Sequence, residues 1–184
     1  VFHDLERLRK IGSGKIQFVF SGKAHPRDEG GKALIKSIFD SAKELEKDIP
    51  IAFIEDYSMA TGLAMTGGVD IWLNNPIRPM EASGTSGMKA AMNGVPNCSI
   101  LDGWWPEGCE HGVNGWAIGE ANDERNDVRD AKNVLDVIEN EVLTAWRDGE
   151  EKWCDMMRAS IATSAGFTGA RMIRDYLPYY DSFE

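Results

Sequence analysis

Short β-branched and aromatic runs alternate with amphipathic stretches through the first two-thirds of the chain, the pattern of βα units feeding a parallel sheet. Residues 16–20, 51–55, 70–74 and 97–101 predict strands. Between the first two, Leu34, Ile35, Ile38, Phe39, Ala42 and Leu45 recur at helical spacing while Lys36, Lys43 and Glu44 point elsewhere, so one helix face is expected to lie on the sheet. Residues 57–65 predict a short second crossover closed by Gly67-Gly68. A third helix is expected from about 84 to 93, stopped by Asn93-Gly94, with Pro96 forcing the chain out before the next strand. Crossovers of this kind gather the loops after the strands along one edge of the sheet, where open α/β sheets bind ligands.

After Leu101 the texture changes. Residues 102–108 form a Gly- and Trp-rich loop, followed by His111-Gly112 and Asn114-Gly115-Trp116, with Ala117-Ile118 at most a short edge strand. Residues 121–130 read as a charged, turn-forming connection with a solvated surface. Beyond it Val134, Leu135, Ile138, Val142 and Trp146 mark a helix. Two more follow, one with Trp153, Met156, Met157 and Ile161 on a face, the other with Met172, Ile173, Tyr176 and Leu177. These Trp and Met stripes read as core or interface. The expected organisation is an α/β, partial Rossmann-like domain over residues 1–130 and a C-terminal helical segment over 131–184.

A chain of 184 residues with 42% hydrophobic content can bury a real core. Its 30 acidic against 20 basic residues give a formal charge of −10, which repels a phosphate backbone or an anionic membrane, so neither nucleic acid nor membrane is an expected partner. No apolar run approaches the roughly 20 residues of a membrane span, and the first residues lack the features of a secretory signal; the expected location is cytoplasmic. Cys98, Cys109 and Cys154 are odd in number and far apart, which suits reduced thiols. The chain begins without Met and runs directly into a helix-like pattern, which reads as a fragment of something longer.

The informative segment for chemistry is Glu81-Ala82-Ser83-Gly84-Thr85-Ser86-Gly87-Met88-Lys89, between a predicted strand and helix on the ligand-binding edge. Small residues there let backbone N–H groups and hydroxyls approach an anion at a helix N-terminus, with phosphate or a phosphorylated cofactor the natural guest. Lys89 could reach the same crevice, and a lysine amine forms Schiff bases with aldehydes. Glu81 could accept hydrogen bonds from substrate hydroxyls. The bland alternative is an ordinary βα loop with a surface lysine. Elsewhere, Gly12-Ser13-Gly14-Lys15 lacks the full phosphate-loop spacing and precedes a strand, so it reads as a turn. Cys98, Cys109 and His111 lack paired metal-ligand spacing, so no metal site is expected; Cys98 reads as core and His3 as solvated.

Glu81 to Lys89 with Asn93-Gly94, and then Leu101-Asp102-Gly103, resembles the pyridoxal-phosphate lysine region of the α-glucan phosphorylases, the glycogen, starch and maltodextrin phosphorylase family. Gly22-Lys23-Ala24-His25-Pro26 resembles a loop of that family's C-terminal domain, Ile54-Glu55-Asp56-Tyr57 its Glu-Asn-Tyr segment, and residues 161–167 its segment before the final helix. Gly103-Trp104-Trp105 with Gly108 looks like the shorter bacterial and archaeal branch.

The resemblance implies part of the second Rossmann-like domain of a GT-B-type two-domain fold. It makes Lys89 the Schiff-base lysine for pyridoxal 5′-phosphate, with Thr85 and Ser86 beside the cofactor phosphate and Tyr57 lining its ring. Glu81, with the backbone of Ser83 and Gly84, would hold the hydroxyls of the transferred glucosyl unit, and His25 would face the cleft. The implied reaction cleaves terminal α-1,4 bonds of a glucan with inorganic phosphate to give glucose 1-phosphate. Ser86 stands where many members have Gly, and Ser58 where muscle-type enzymes have Arg. The family's N-terminal domain and its basic phosphate-gathering stretch have no counterpart here, so the chain alone is expected to be inactive, and apolar surface on the final helices would allow self-association. Two alternatives stay open: a nucleotide-sugar glucosyltransferase such as a glycogen synthase, which would carry Glu rather than Lys at position 89, and a non-catalytic carbohydrate-binding module.

Overall fold

A computed structural model describes residues 1–121 and 125–182. The chain divides into two compact units, Val1–Ala64 and Met65–Glu184. The helical segment 131–184 therefore lies within the second unit, together with the Glu81–Lys89 loop.

In the first unit, helix α1 (Leu5–Gly12) is capped by Asp4, whose carboxylate accepts from the Arg7 N–H. Strand β1 (Phe18–Ser21) pairs in parallel with β2 (Ile51–Ile54), in the register Phe18 opposite Ile51. The first strand starts two residues later than the pattern predicts, because the Lys15 and Ile16 N–H groups still bond the Gly12 carbonyl at the end of α1. Leu8, Ile11, Phe18, Leu45 and Ile49 form the buried interior. The connecting helix α2 (Glu29–Leu45) starts at Asp28, which caps Gly31. Its predicted apolar face is covered only in part: Leu45 is buried and Ile35, Ile38 and Ala42 are half-buried, but Leu34 is 69% exposed. A two-stranded sheet, with strands about 4.8 Å apart, is too narrow to cover four turns of helix.

Helix α3 (Met59–Gly68) carries the chain from one unit to the next and begins where Ser58 Oγ accepts the Thr61 N–H. The second unit holds a parallel sheet in the order β3-β4-β5, formed by Trp72–Asn74, Asn97–Ile100 and Gly115–Ile118. The central strand β4 is buried at every residue, as expected for a parallel strand covered on both faces. Helix α4 (Thr85–Met92) connects β3 to β4, and the one-turn α5 (Trp105–Gly108) interrupts the predicted Gly- and Trp-rich loop before β5. The last strand is twice the length expected, because Gly115-Trp116 joins it rather than the preceding turn.

Helix α6 (Asp127–Val137) begins inside the stretch expected to be a connection, since Asn126 caps it through the Arg129 N–H; residues 122–124 of that stretch lie outside the described residues. A π-helical turn, Ile138–Val142, joins α6 to α7 (Leu143–Arg147). Helix α8 (Glu150–Ser164) buries Trp153 and Met156 and packs on α4. Helix α9 (Gly169–Asp181) buries no residue: Met172, Ile173, Tyr176 and Leu177 are each about half exposed. Among the described residues no helix is long and apolar enough to cross a membrane.

The fold is α/β, with parallel strands and covering helices, as the alternating pattern predicts. The loops after β3 and β4 hold the candidate site of the second unit.

Candidate functional site

The loop from β3 to α4 carries Glu81, Ser83 and Gly84, and the loop after β4 meets it. One oxygen of the Asp102 carboxylate accepts the Glu81 N–H at 3.0 Å and the other accepts the Gly103 N–H at 2.9 Å. The Trp104 N–H closes the junction on the Ser83 carbonyl at 2.8 Å. Three bonds thus fix one half-buried acidic side chain and a short stretch of backbone into a cradle. Glu81 is held at its own main chain, and its carboxylate lies over Gly84: a Cβ there would sit 3.3 Å from Glu81 Oε1.

Gly84 caps α4 in the left-handed conformation (φ 81°), and among the described residues no side chain bonds the first helical N–H groups. The first turn also lacks an acidic residue. The N-terminus of α4 therefore presents unpaired donors and a positive dipole end toward any neighbouring anion. Thr85 is exposed and Ser86 half-buried on this turn. Lys89 follows Thr85 by four residues, on the same helix face, and is exposed. Its amine has no ion-pair or hydrogen-bond partner among the described residues.

The rotation of α4 is set on its inner side. Asn97 Nδ2 of β4 donates to the Gly87 carbonyl at 3.0 Å, and a Cβ on Gly87 would sit 2.5 Å from Asn97 Oδ1 and 2.9 Å from Trp104 Nε1. Only a glycine lets the helix come this close to the strand. Ala91 packs with Trp104 and Trp105, joined by Met88 and Phe167. With this face buried, Lys89 and Thr85 are held outward. A cleft of about 450 Å³ adjoins the cradle, lined by Ser83, Met88, Phe167, Arg171, Tyr176 and Tyr179.

The structure thus brings Glu81, Ser83, Gly84, Thr85, Ser86 and Lys89 onto one continuous segment in one unit. Tyr57 belongs to the other unit, 46% exposed, with its hydroxyl against Gly62. In that unit Lys23 pairs with Asp56 at 3.6 Å, and His25 Nδ1 accepts the Arg27 N–H. Gly12-Ser13-Gly14-Lys15 ends α1, and Lys15 Nζ returns to the Ile11 carbonyl at 3.3 Å. His111 accepts the Ala117 N–H at Nδ1 and meets Glu141 through Nε2 at 2.7 Å, which uses both ring nitrogens. Among the described residues no cluster of three or more His, Cys, Asp or Glu side chains is arranged to hold a metal. Burial pushes the Cys98 thiol far up, and burial together with the nearby Glu110 charge pushes Cys109 up to about 12.

Sequence reasoning assigned no role to Asp102, Asn97 or Arg78. An Asp-Gly pair directly after a strand is the signal for the first, since an Asp side chain readily bonds the backbone of a tight turn. A polar residue in an otherwise buried strand is the signal for the second.

Residues 1–111 match the carbohydrate phosphorylase family. The chain is 43% identical to the maltodextrin phosphorylase of Thermococcus litoralis over 99% of its own length and 23% of the relative's. It is 46% identical to the glycogen phosphorylase of Aquifex aeolicus over 96% of its length and 27% of that protein's. It is 39% identical to the glycogen phosphorylase of Mycobacterium tuberculosis, covering 96% and 21%. The chain thus spans about a quarter of the length of these relatives. In fold it is similar to Anabaena HepE crystallised with UDP and glucose, with TM-score 0.66 at 15% identity over 98% of this chain and 44% of that one. It is equally similar to a glycosyltransferase from Rickettsia africae, with TM-score 0.65 at 16% identity over 97% and 42%. These are GT-B glycosyltransferase folds. With the family match covering more than half of its residues, the chain belongs to the carbohydrate phosphorylases.

Proposed function

We propose that this chain supplies the cofactor lysine and the glucosyl-binding loop of a cytoplasmic α-1,4-glucan phosphorylase, which releases glucose 1-phosphate from chain ends with inorganic phosphate. The observation that carries the reading is the α4 start: no acidic residue in the first turn and, among the described residues, no side chain capping the first N–H groups and no partner for the outward Lys89 one turn further on. These residues fit pyridoxal 5′-phosphate. Lys89 is its covalent anchor, while Thr85, Ser86 and the α4 N–H groups hold its phosphate. Bound there, the cofactor supplies a phosphate group that takes part in proton transfer. Tyr57's contact with the cofactor ring rests on the resemblance of its segment alone.

Glu81 accepts hydrogen bonds from glucosyl hydroxyls, with the Ser83 and Gly84 backbone completing the cradle. Such contacts are worth most where charge develops on the sugar, so their task is orientation and electrostatic support. Every contact proposed lies within residues 1–130, and the helical segment 131–184 backs α4 through α8. The basic residues that neutralise two neighbouring phosphates come from the rest of the enzyme. The 184-residue chain by itself is accordingly expected to release no glucose 1-phosphate, since two dianions gain too little from one acidic half of a site.

The nucleotide-sugar transferase reading shares the fold, but position 89 holds a lysine where such an enzyme needs a carboxylate for the ribose. The test is borohydride reduction of a phosphorylase carrying this segment in the presence of pyridoxal phosphate. The label is expected on Lys89, and Lys89→Ala is expected to abolish both labelling and phosphorolysis. A label on Lys23 or Lys32 would overturn the assignment.

A further inference from the structure

Ten residues separate β3 from α4 with no regular structure of their own, yet this loop carries Glu81 and the cradle backbone. A loop of that length keeps conformational freedom unless it is tied down. Asp102 and Trp104 tie its C-terminal half. Its N-terminal half is tied by Arg78, whose side chain is 2% exposed. Nη2 of Arg78 bonds Asp130 Oδ1 at 2.8 Å, and Nη1 donates to the Glu120 carbonyl. Asp130 stands in the first turn of α6, and Glu120 follows β5. The guanidinium therefore reaches from the end of β3 to the end of β5, two strands away in the sheet.

We propose that Arg78, acting through Asp130, is a positioning residue for the Glu81–Gly84 cradle. The proposal rests on the sugar-binding role proposed above. Its first support is the cost of the pair: a buried ion pair commonly gives no more stability than apolar side chains of the same volume. Arg78 Nε adds to that cost, being buried with no hydrogen-bond partner among the described residues. What the pair provides is geometry, because a planar fork bonded to a carboxylate and a carbonyl fixes where its main chain lies. The second support is the packing beside the pair. Gly119, in the left-handed conformation at φ 73°, passes it in ordinary van der Waals contact: a Cβ there would lie 3.8 Å from Arg78 Nη2 and 3.9 Å from Asp130 Oδ1, and 3.0 Å from Asn133 Nδ2 on the same helix as Asp130. The third is placement: Arg78 is three residues before Glu81, so the two anchors bracket that residue. Arg78 sets one side and Asp102 the other.

The test is residue-resolved hydrogen exchange on this chain. The Glu81 and Trp104 amides report the bracket, and the α8 amides report global stability. Arg78→Met keeps volume without the fork. It is expected to raise Glu81 and Trp104 exchange tenfold or more while α8 amides stay within twofold; Arg78→Lys, which restores charge and one donor, is expected to recover part of the protection. Unchanged bracket amides, or bracket and α8 amides accelerating in the same proportion, would overturn the proposal. If Arg78→Met does not fold, Asp130→Asn, which keeps size and an acceptor, decides on the same readout. Lys89 labelling reports separately on the proposed function: an unlabelled Lys89 with a locally loosened bracket would leave Arg78 positioning the loop and remove the cofactor from Lys89.

Discussion

The Trp104 N–H meets the Ser83 carbonyl at 2.8 Å, and between them the chain turns at Gly103 with φ 60°. A Cβ on Gly103 would stand 2.6 Å from the Ser83 oxygen and 2.9 Å from Glu81 Cγ. Gly103→Ala meets two penalties: a left-handed conformation costs an alanine roughly 1–2 kcal/mol, and the collision is with main chain rather than with a flexible side-chain tip. A loss of about 2–4 kcal/mol is expected in denaturant unfolding, with the cradle opened. A stability within 0.5 kcal/mol of the parent would mean that the two loops are not laced in this way.

Glu81→Gln keeps the shape of the cradle and removes its charge. A charge-assisted hydrogen bond to a glucosyl hydroxyl then weakens by roughly 1.5–3 kcal/mol. In a phosphorylase carrying this segment, turnover is expected to fall by about one to two orders of magnitude, at roughly tenfold per 1.4 kcal/mol. Cofactor occupancy, read by absorbance, is expected to stay the same. Full activity in the variant would remove Glu81 from sugar binding even with Lys89 correctly assigned.

Local chemistry made the frame of this unit legible. The buried run at 97–100, the Asn93-Gly94 stop and the small residues at 83–87 each specify their element without help from distant parts of the chain. The cradle's supports are long-range: Arg78 meets Asp130 across 52 residues and Glu81 meets Asp102 across 21, and no periodicity encodes such pairings. The α2 stripe fails for a related reason. Its spacing announces an apolar face, but the width of the sheet that must cover Leu34 is a property of strand pairing. At 115–118 the sequence misleads because Asn114-Gly115 reads as a turn, whereas Gly115 already pairs with Asn97.

Asn114, 1% exposed, is another such support. Its Nδ2 donates to the Gly108 carbonyl and to Thr163 Oγ1, both at 2.7 Å, and its Oδ1 accepts the Glu110 N–H at 2.9 Å. One amide therefore joins the turn after α5 to α8. Asn114→Ala strands these groups with no partner, an expected loss of about 3–4 kcal/mol. Thr163→Ala removes one acceptor and leaves the rest of the network, so about 1 kcal/mol is expected. Equal losses for the two variants, measured by chemical denaturation, would show that the network is not centred on Asn114.

Cys98 sits at the centre of β4 with no exposed surface, and burial holds its thiol far above the range of a free cysteine. Below about pH 8.5 both the folded and unfolded chains keep this proton, and the thiol's contribution to stability is fully present. Above that value the unfolded chain ionises while the folded one does not, so stability falls as pH rises toward the folded value. Each pH unit in that window removes up to about 1.4 kcal/mol. Between pH 7.5 and 10 the loss due to Cys98 is expected to be about 2 kcal/mol. Cys98→Ala costs some packing at every pH but removes this slope. The comparison is therefore between the two pH dependences of the unfolding free energy, each measured from pH 7.5 to 10. Parallel curves would mean that the Cys98 thiol ionises as readily in the folded sheet as in the open chain.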